Sequence, residues 1–263
     1  MTRIVRAELI RLLRRRTLIA LVLGSLAFAG VATLTVYSSA KAIGDPSSRQ
    51  SGTTLAALAA RGGGTQAFAV GASFVGFFIF VTFIALIAAE FSGGTFRALL
   101  LRDPHRLRVL IGKLVGILLV AAAAVALTEV LSFALSLLLA PGKDVATSQW
   151  FTVGSAGDAL RDYLTVLAGV TGWAIFGATL AVIFRSAPLA LGVGFAWAGP
   201  FENIVVDSWS TGYRVFPGQV LASLIRGGTT ELGLGRASVT AAAYAALAAV
   251  VALVLVSRRD VTA

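Results

Sequence analysis

Two carboxylates stand inside apolar runs, and one short basic stretch joins the run that holds the first of them to the run before it; these are the residues with chemistry to offer. Glu129 has Thr128, Ser132 and Ser136 near it on an otherwise apolar background. A carboxylate at membrane depth costs about 3 kcal/mol on insertion scales, so it must face protein or a wet cavity. It can serve as a contact for a cationic substrate, a proton site or a gate element. It can equally be structural, through a helix–helix hydrogen bond or a salt bridge to an outer-end base such as Arg161. Glu202 lies two residues after Pro200 and invites the same two readings. Its place near the outer end of its run favours the structural one.

The basic stretch runs from Glu90 to Lys113 and holds five of the chain's 22 Lys and Arg residues: Arg97, Arg102, Arg106, Arg108 and Lys113. Around Phe96, Leu99 and Leu100 it is also amphipathic. A basic rim with an apolar centre is a docking surface for a soluble partner. The single histidine, His105, has no second histidine to pair with and reads as a solvated or interface residue.

The elements that hold these residues are helices in a membrane. The chain of 263 residues is 57% hydrophobic and 13% charged, with a mean hydropathy of +0.89, where soluble domains carry about 25% charged residues. Six runs reach the roughly 20 residues needed to cross about 30 Å of hydrocarbon: residues 18–37, 68–89, 114–140, 163–184, 188–206 and 238–257. They are continuously apolar, which implies helices rather than alternating barrel strands. The expected fold class is all-α, a single polytopic transmembrane domain over residues 1–263.

Charge sets the orientation. With the N-terminus inside, 14 of the 22 Lys and Arg residues fall on the cytoplasmic side, which the positive-inside rule favours. Both termini are then cytoplasmic, and the net charge of +10 orients the protein in the membrane rather than marking a nucleic-acid partner. Residues 1–17 read as an interfacial helix, with Val5, Leu9, Leu12 and Leu13 on one side and Arg3, Arg11, Arg14 and Arg15 on the other. Its arginines would meet anionic membrane lipids or a partner's acids. Asp158, Arg161 and Asp162 read as a solvated helix-start cluster. Gly199-Pro200 predicts a kink or break in the fifth run. In the external segment 207–237, Pro217 starts and Gly227 ends a short helix, expected as an interfacial or re-entrant element.

No phosphate loop, H-E-x-x-H metal site or G-x-S-x-G nucleophile elbow is present, and there is no cysteine. A self-contained enzyme is not expected, nor a metal or other cofactor held by this chain.

The six-run layout with a basic amphipathic loop between the second and third resembles the membrane subunits of type-2 ATP-binding-cassette (ABC) permeases, the bacterial drug, bacteriocin and polysaccharide export class. Glu90, Gly94-Thr95 and Leu99-Leu100 are similar to that family's Glu, Gly-Thr and Leu-Leu run; Pro104, Arg106 and Lys113 to its lead into the third span; Ser257-Arg258-Arg259-Asp260 to its basic ending. One departure is that Pro104 stands one residue closer to Arg106 than in the family pattern.

The resemblance implies a bacterial cytoplasmic-membrane exporter of an amphipathic compound, peptide or lipid-like molecule. Two permease copies, or this chain and a similar one, would be driven by two copies of a separate ATPase that carries ATP and Mg. Residues 94–103 would be the coupling helix, with Phe96, Leu99 and Leu100 filling a cleft on the ATPase while Arg97 and Arg102 pair with its acidic rim. Glu90 would sit at that helix's start or pair with a base of the N-terminal helix. The alternatives are a proton-coupled secondary transporter using Glu129 and a non-transporting scaffold or sensor.

Overall fold

The computed structural model describes residues 1–41, 53–101, 105–209 and 211–258, without the side chains of residues 74, 75 and 97. Among them the fold is all-α. In chain order the helices are α1 (Thr2–Leu12), α2 (Arg15–Ser39), α3 (Leu55–Ala59), α4 (Gly63–Ser92), α5 (Thr95–Leu100), α6 (Arg106–Leu139) and α7 (Val153–Phe184). They continue with α8 (Ala187–Ala196), α9 (Glu202–Ser208), α10 (Gly212–Val215), α11 (Pro217–Ile225) and α12 (Leu234–Arg258).

Five helices are long and apolar enough to cross a membrane, counting α8 to α9 as one; the number is six if α4, which bends by 51° between Ser73 and Gly76, is one span. The outward faces agree with hydrocarbon as their surroundings. Leu18, Ile19, Val22, Leu23, Val31 and Leu34 of α2, and Val239, Leu247 and Val250 of α12, are all exposed. An apolar surface of that extent in water would drive association. The chain is a multi-pass membrane protein.

The long helices run alternately up and down. One end gathers α1, α5 and the near ends of α4, α6, α7 and α12, where Phe96, Val109, Leu110, Val182 and Val256 share a cluster. This is the basic end of the molecule. At the far end Tyr37, Leu58, Ala67, Ala140 and Trp150 form a second cluster. The main core lies between, where Phe80, Ile84, Val170, Trp173 and Ala174 join α4 to α7.

Two expectations change on contact with neighbouring helices. Pro200 does not break its helix. It has no N–H to give, so the backbone widens into a π turn, Trp197–Phe201, in which the Glu202 N–H donates to the Trp197 carbonyl. The Asn203 side-chain amide also donates to the Gly199 carbonyl at 2.6 Å, so the helix continues to Ser208. α11, expected as an interfacial or re-entrant element, does not rest on the surface: it buries Val220, Leu221, Leu224 and Ile225 in the main core. Gly169 and Gly172 of α7 leave the room, since a Cβ there would stand 2.2 Å from Ile225 Cγ1 and 2.5 Å from Leu221 Cδ2.

Candidate functional site

At the basic end, four charged side chains from three helices close on one another. Lys113 Nζ lies 2.7 Å from Glu90 Oε1 and 3.1 Å from Glu8 Oε2, and Arg11 Nη1 lies 2.7 Å from Glu90 Oε1. Arg11 Nη2 also pairs with Glu8 Oε1. Two cations meet two carboxylates, so the charges sum to zero. Glu8, Glu90 and Lys113 are all buried. Burial makes the mutual satisfaction matter: a buried pair is worth little net, but removing one member strands its partner's charge.

The sequence places each member for a local reason. Glu8 shares a face of α1 with Ile4, Val5 and Leu12, and that face lies on α6 where two glycines admit it. A Cβ on Gly112 would stand 2.9 Å from Ile4 Cγ2, and one on Gly116 would stand 2.8 Å from Glu8 Cβ. Glu90 is in the last turn of α4, not at a helix start as the macrodipole argument required. Of its two expected roles, the structure has the pairing with the N-terminal helix. Arg11, expected on the outward polar face, turns inward to these acids. Leu13, expected on the apolar side, lies beyond α1 and is exposed.

Past Glu90 the chain reverses through Gly93 and Gly94. Gly94 has φ of +71°, a left-handed conformation that glycine adopts without a Cβ penalty. Thr95 Oγ1 then donates to the Glu90 carbonyl at 3.2 Å, closing a backbone acceptor that the end of α4 leaves open. This gives the Gly-Thr pair a physical role: it starts α5 at an angle set by the turn.

The apolar side of α5 faces the protein itself, which corrects the expected cleft-filling role. Phe96 is only 2% exposed, with its ring 4.6 Å from that of Phe91, and Leu99 and Leu100 pack against the same cluster. Helix ends from α4, α6, α7 and α12 already supply the apolar surface that an amphipathic helix seeks. What α5 leaves outward is Thr95 and Ala98, followed by Leu101 at 84% exposure. The Arg97 side chain, Arg102, Pro104 and the Arg259-Asp260 ending lie outside the described residues. Arg106 opens α6 directly after His105.

The far end holds the other candidates. Glu129 is 9% exposed on α6, and its Oε1 has no hydrogen-bond partner among the described residues. The expected bridge to Arg161 is not among its contacts. Ser132 Oγ is likewise buried without a partner among the described residues, while Thr128 Oγ1 donates to the Ala124 carbonyl at 2.7 Å. Asp158 pairs with Arg61, in the turn before α4, at 2.7 Å rather than along its own helix, and Asp162 accepts from Thr65 Oγ1 at 2.7 Å. The Asp158 hydrogen bond, and then its charge, raise the Arg61 pKa above its ordinary value.

Glu202 is satisfied by donors of the chain itself. It is 1% exposed and accepts from Trp197 Nε1 at 2.7 Å, from the Gly218 N–H at 3.2 Å and from the Gln219 N–H at 3.2 Å. It thereby caps the first turn of α11, where free N–H groups and the macrodipole favour an anion. Pro200 bears on this only through the π turn that carries Trp197 and leads into Glu202.

Sequence reasoning missed Glu8, although it is the only acid before Asp45 and sits on the apolar stripe of an arginine-rich helix. It also missed Trp150, whose Nε1 donates to the Leu58 carbonyl at 2.9 Å.

A family model described as "Protein of unknown function (DUF2705)" matches residues 47–262. The chain belongs to this family. The DUF2705 match takes in Glu90, Lys113, Glu129 and Glu202, while Glu8 and Arg11 precede it. A comparison with curated proteins finds no match.

Proposed function

We propose that this DUF2705 chain is the membrane-spanning permease subunit of an ATP-driven ABC exporter in a bacterial cytoplasmic membrane. It has six spans and both termini in the cytoplasm, and it moves an amphipathic compound, peptide or lipid-like molecule. One observation carries the reading: α5, a short helix between two long ones, is tied to several helices at once. Gly94 sets its angle, Phe96 anchors it among α4, α6, α7 and α12, and the Glu8–Arg11–Glu90–Lys113 network fastens α1 beside it.

A push on α5 is therefore shared among those helices. An ATPase whose nucleotide-bound and empty states hold α5 differently would bias the whole basic end, which is the condition for coupling. The contact would be made by the outward side of α5 and by Leu101, not by Phe96. Two ATPase copies and a second permease copy complete the transporter, with ATP and Mg on the ATPase.

Copurification from the native membrane tests this. An ATPase should accompany the wild-type chain and be lost on Leu101→Asp while the permease remains folded. No ATPase in the complex, together with full transport by the Leu101 variant, refutes the reading. A proton-coupled transporter is the second reading, favoured by the unpartnered Oε1 of Glu129. It requires flux that follows a proton gradient without any ATPase and stops on Glu129→Gln.

A further inference from the structure

We propose that the cavity beside Glu129 binds an organic cation with an apolar body. The cavity holds about 570 Å³, within the range of drug-sized ligand sites, about 300–1,000 Å³. It lies between the far half of α6, the start of α7 and the first turn of α4. Phe133, Trp150, Phe151 and Tyr163 line it together with Glu129 and Thr65. The Phe133 ring stands 6.0 Å from Trp150 and 6.1 Å from Phe151, so three aromatic rings form one wall.

The arginines near this wall already face carboxylates, Arg161 acting on Asp162. Arg61 on the rim is committed to Asp158 through Nε at 2.7 Å and Nη2 at 3.2 Å. Thr65 is committed to Asp162. Glu129 keeps a buried carboxyl oxygen without a hydrogen-bond partner among the described residues. An ammonium or similar onium group would supply the missing partner, and the indole and phenyl faces would hold it by cation–π attraction. The aromatic walls offer a small metal ion few of the oxygen ligands it needs, and the carboxylates repel anions. The apolar remainder of the ligand would lie against Phe133 and Phe151.

Binding depends on this chain alone; that the bound cation is also cargo rests on the permease reading. The test uses the purified full chain in lipid nanodiscs without any ATPase, titrated with tetraphenylphosphonium. Trp fluorescence should quench saturably, and equilibrium dialysis should give the same affinity. Trp150→Phe should remove most of the quenching while dialysis still detects binding. Glu129→Gln should weaken binding by about tenfold or more, as expected for losing a charged contact, and Asp207→Asn, on the exposed last turn of α9 and outside the cavity, should leave it unchanged.

Equal affinity of wild type and Glu129→Gln overturns the proposal. So does an equal response to tetraphenylborate, which would mean partitioning of any apolar ion, and so does absence of binding in a dimeric fraction because a second copy covers the cavity. An ATPase that copurifies with a chain unable to bind the probe would sink this site and leave the permease reading standing. Probe binding with no ATPase would do the reverse.

Discussion

Lys113 Nζ stands 2.7 Å from Glu90 Oε1, joining the start of α6 to the end of α4 across 23 residues of chain. Both side chains are buried, so the pair is shielded from salt and from competing water. Replacing Lys113 by Met should leave Glu8 and Glu90 sharing Arg11 alone. The expected loss is about 3 kcal/mol, read as a drop in Tm of the detergent-solubilised protein. The combined Lys113→Met, Glu90→Gln variant should lose less than the sum of the two single changes.

The Arg61–Asp158 bridge at the far end should behave differently because its arginine is exposed. Arg61→Ala should lower Tm only slightly at low salt, and the difference should vanish in 1 M NaCl, roughly a 3 Å screening length. The Lys113→Met difference should persist in the same buffer.

Phe96 and Leu101 are five residues apart and should separate stability from partner binding. Phe96→Ala opens a hole in the cluster around Val109, Val182 and Val256 and should cost about 3 kcal/mol. Leu101→Ala should leave Tm unchanged and, on the permease reading, reduce the yield of copurified ATPase. Thermal unfolding and pull-down on the same two samples check both statements.

At Gly94 a Cβ would meet nothing within 4 Å, so substitution there is limited by backbone conformation alone. Gly94→Ala should cost about 1 kcal/mol. Gly94→Asn should cost less, because asparagine tolerates the left-handed region. Chemical denaturation of the three proteins orders them.

Glu202 and Gly218 make a matched pair. A Cβ on Gly218 would stand 2.4 Å from Glu202 Oε2, so Gly218→Ala should displace the carboxylate that caps α11. Glu202→Ala leaves the Trp197, Gly218 and Gln219 donors without their acceptor, at about 2 kcal/mol or more. Gly157→Ala, where nothing lies within 4 Å, should be neutral or slightly stabilising. Proteolysis of the far end, monitored by mass spectrometry, should accelerate in the first two variants only.

The long helices were readable because hydrocarbon demands unbroken apolar runs, and no other element produces them. Their ends shifted: the run starting at Tyr163 begins as a helix at Val153, since water-facing turns continue a helix without needing apolar residues. α11 was readable from Pro217 and the stop at Gly227, but its depth was not, because an apolar face does not say whether lipid or α7 covers it. Phe96 failed for the same reason, its stripe fitting a partner's cleft and the chain's own helix ends equally well. Glu8 failed for another: its pairing with Lys113 over 105 positions leaves no periodic trace, and Arg11 was read against lipid or a partner's acids only while Glu8 and Glu90 were unplaced. Glu129 was picked out by the cost of its burial, which sequence alone conveys.

The charge network also has a consequence in time. Glu8 and Arg11 leave the ribosome with only each other for company, since Lys113 follows Glu8 by 105 residues. At about 5–20 residues per second the interval is about 5–20 s. During it the first helix must wait at the lipid surface while α2 and α4 are threaded into the bilayer. The Glu8–Arg11 pair, one helical turn apart, gives the waiting helix a neutral patch where its arginine-rich sequence would otherwise hold it to anionic headgroups. Release from the lipid and docking on α6 can follow only once α6 has been made.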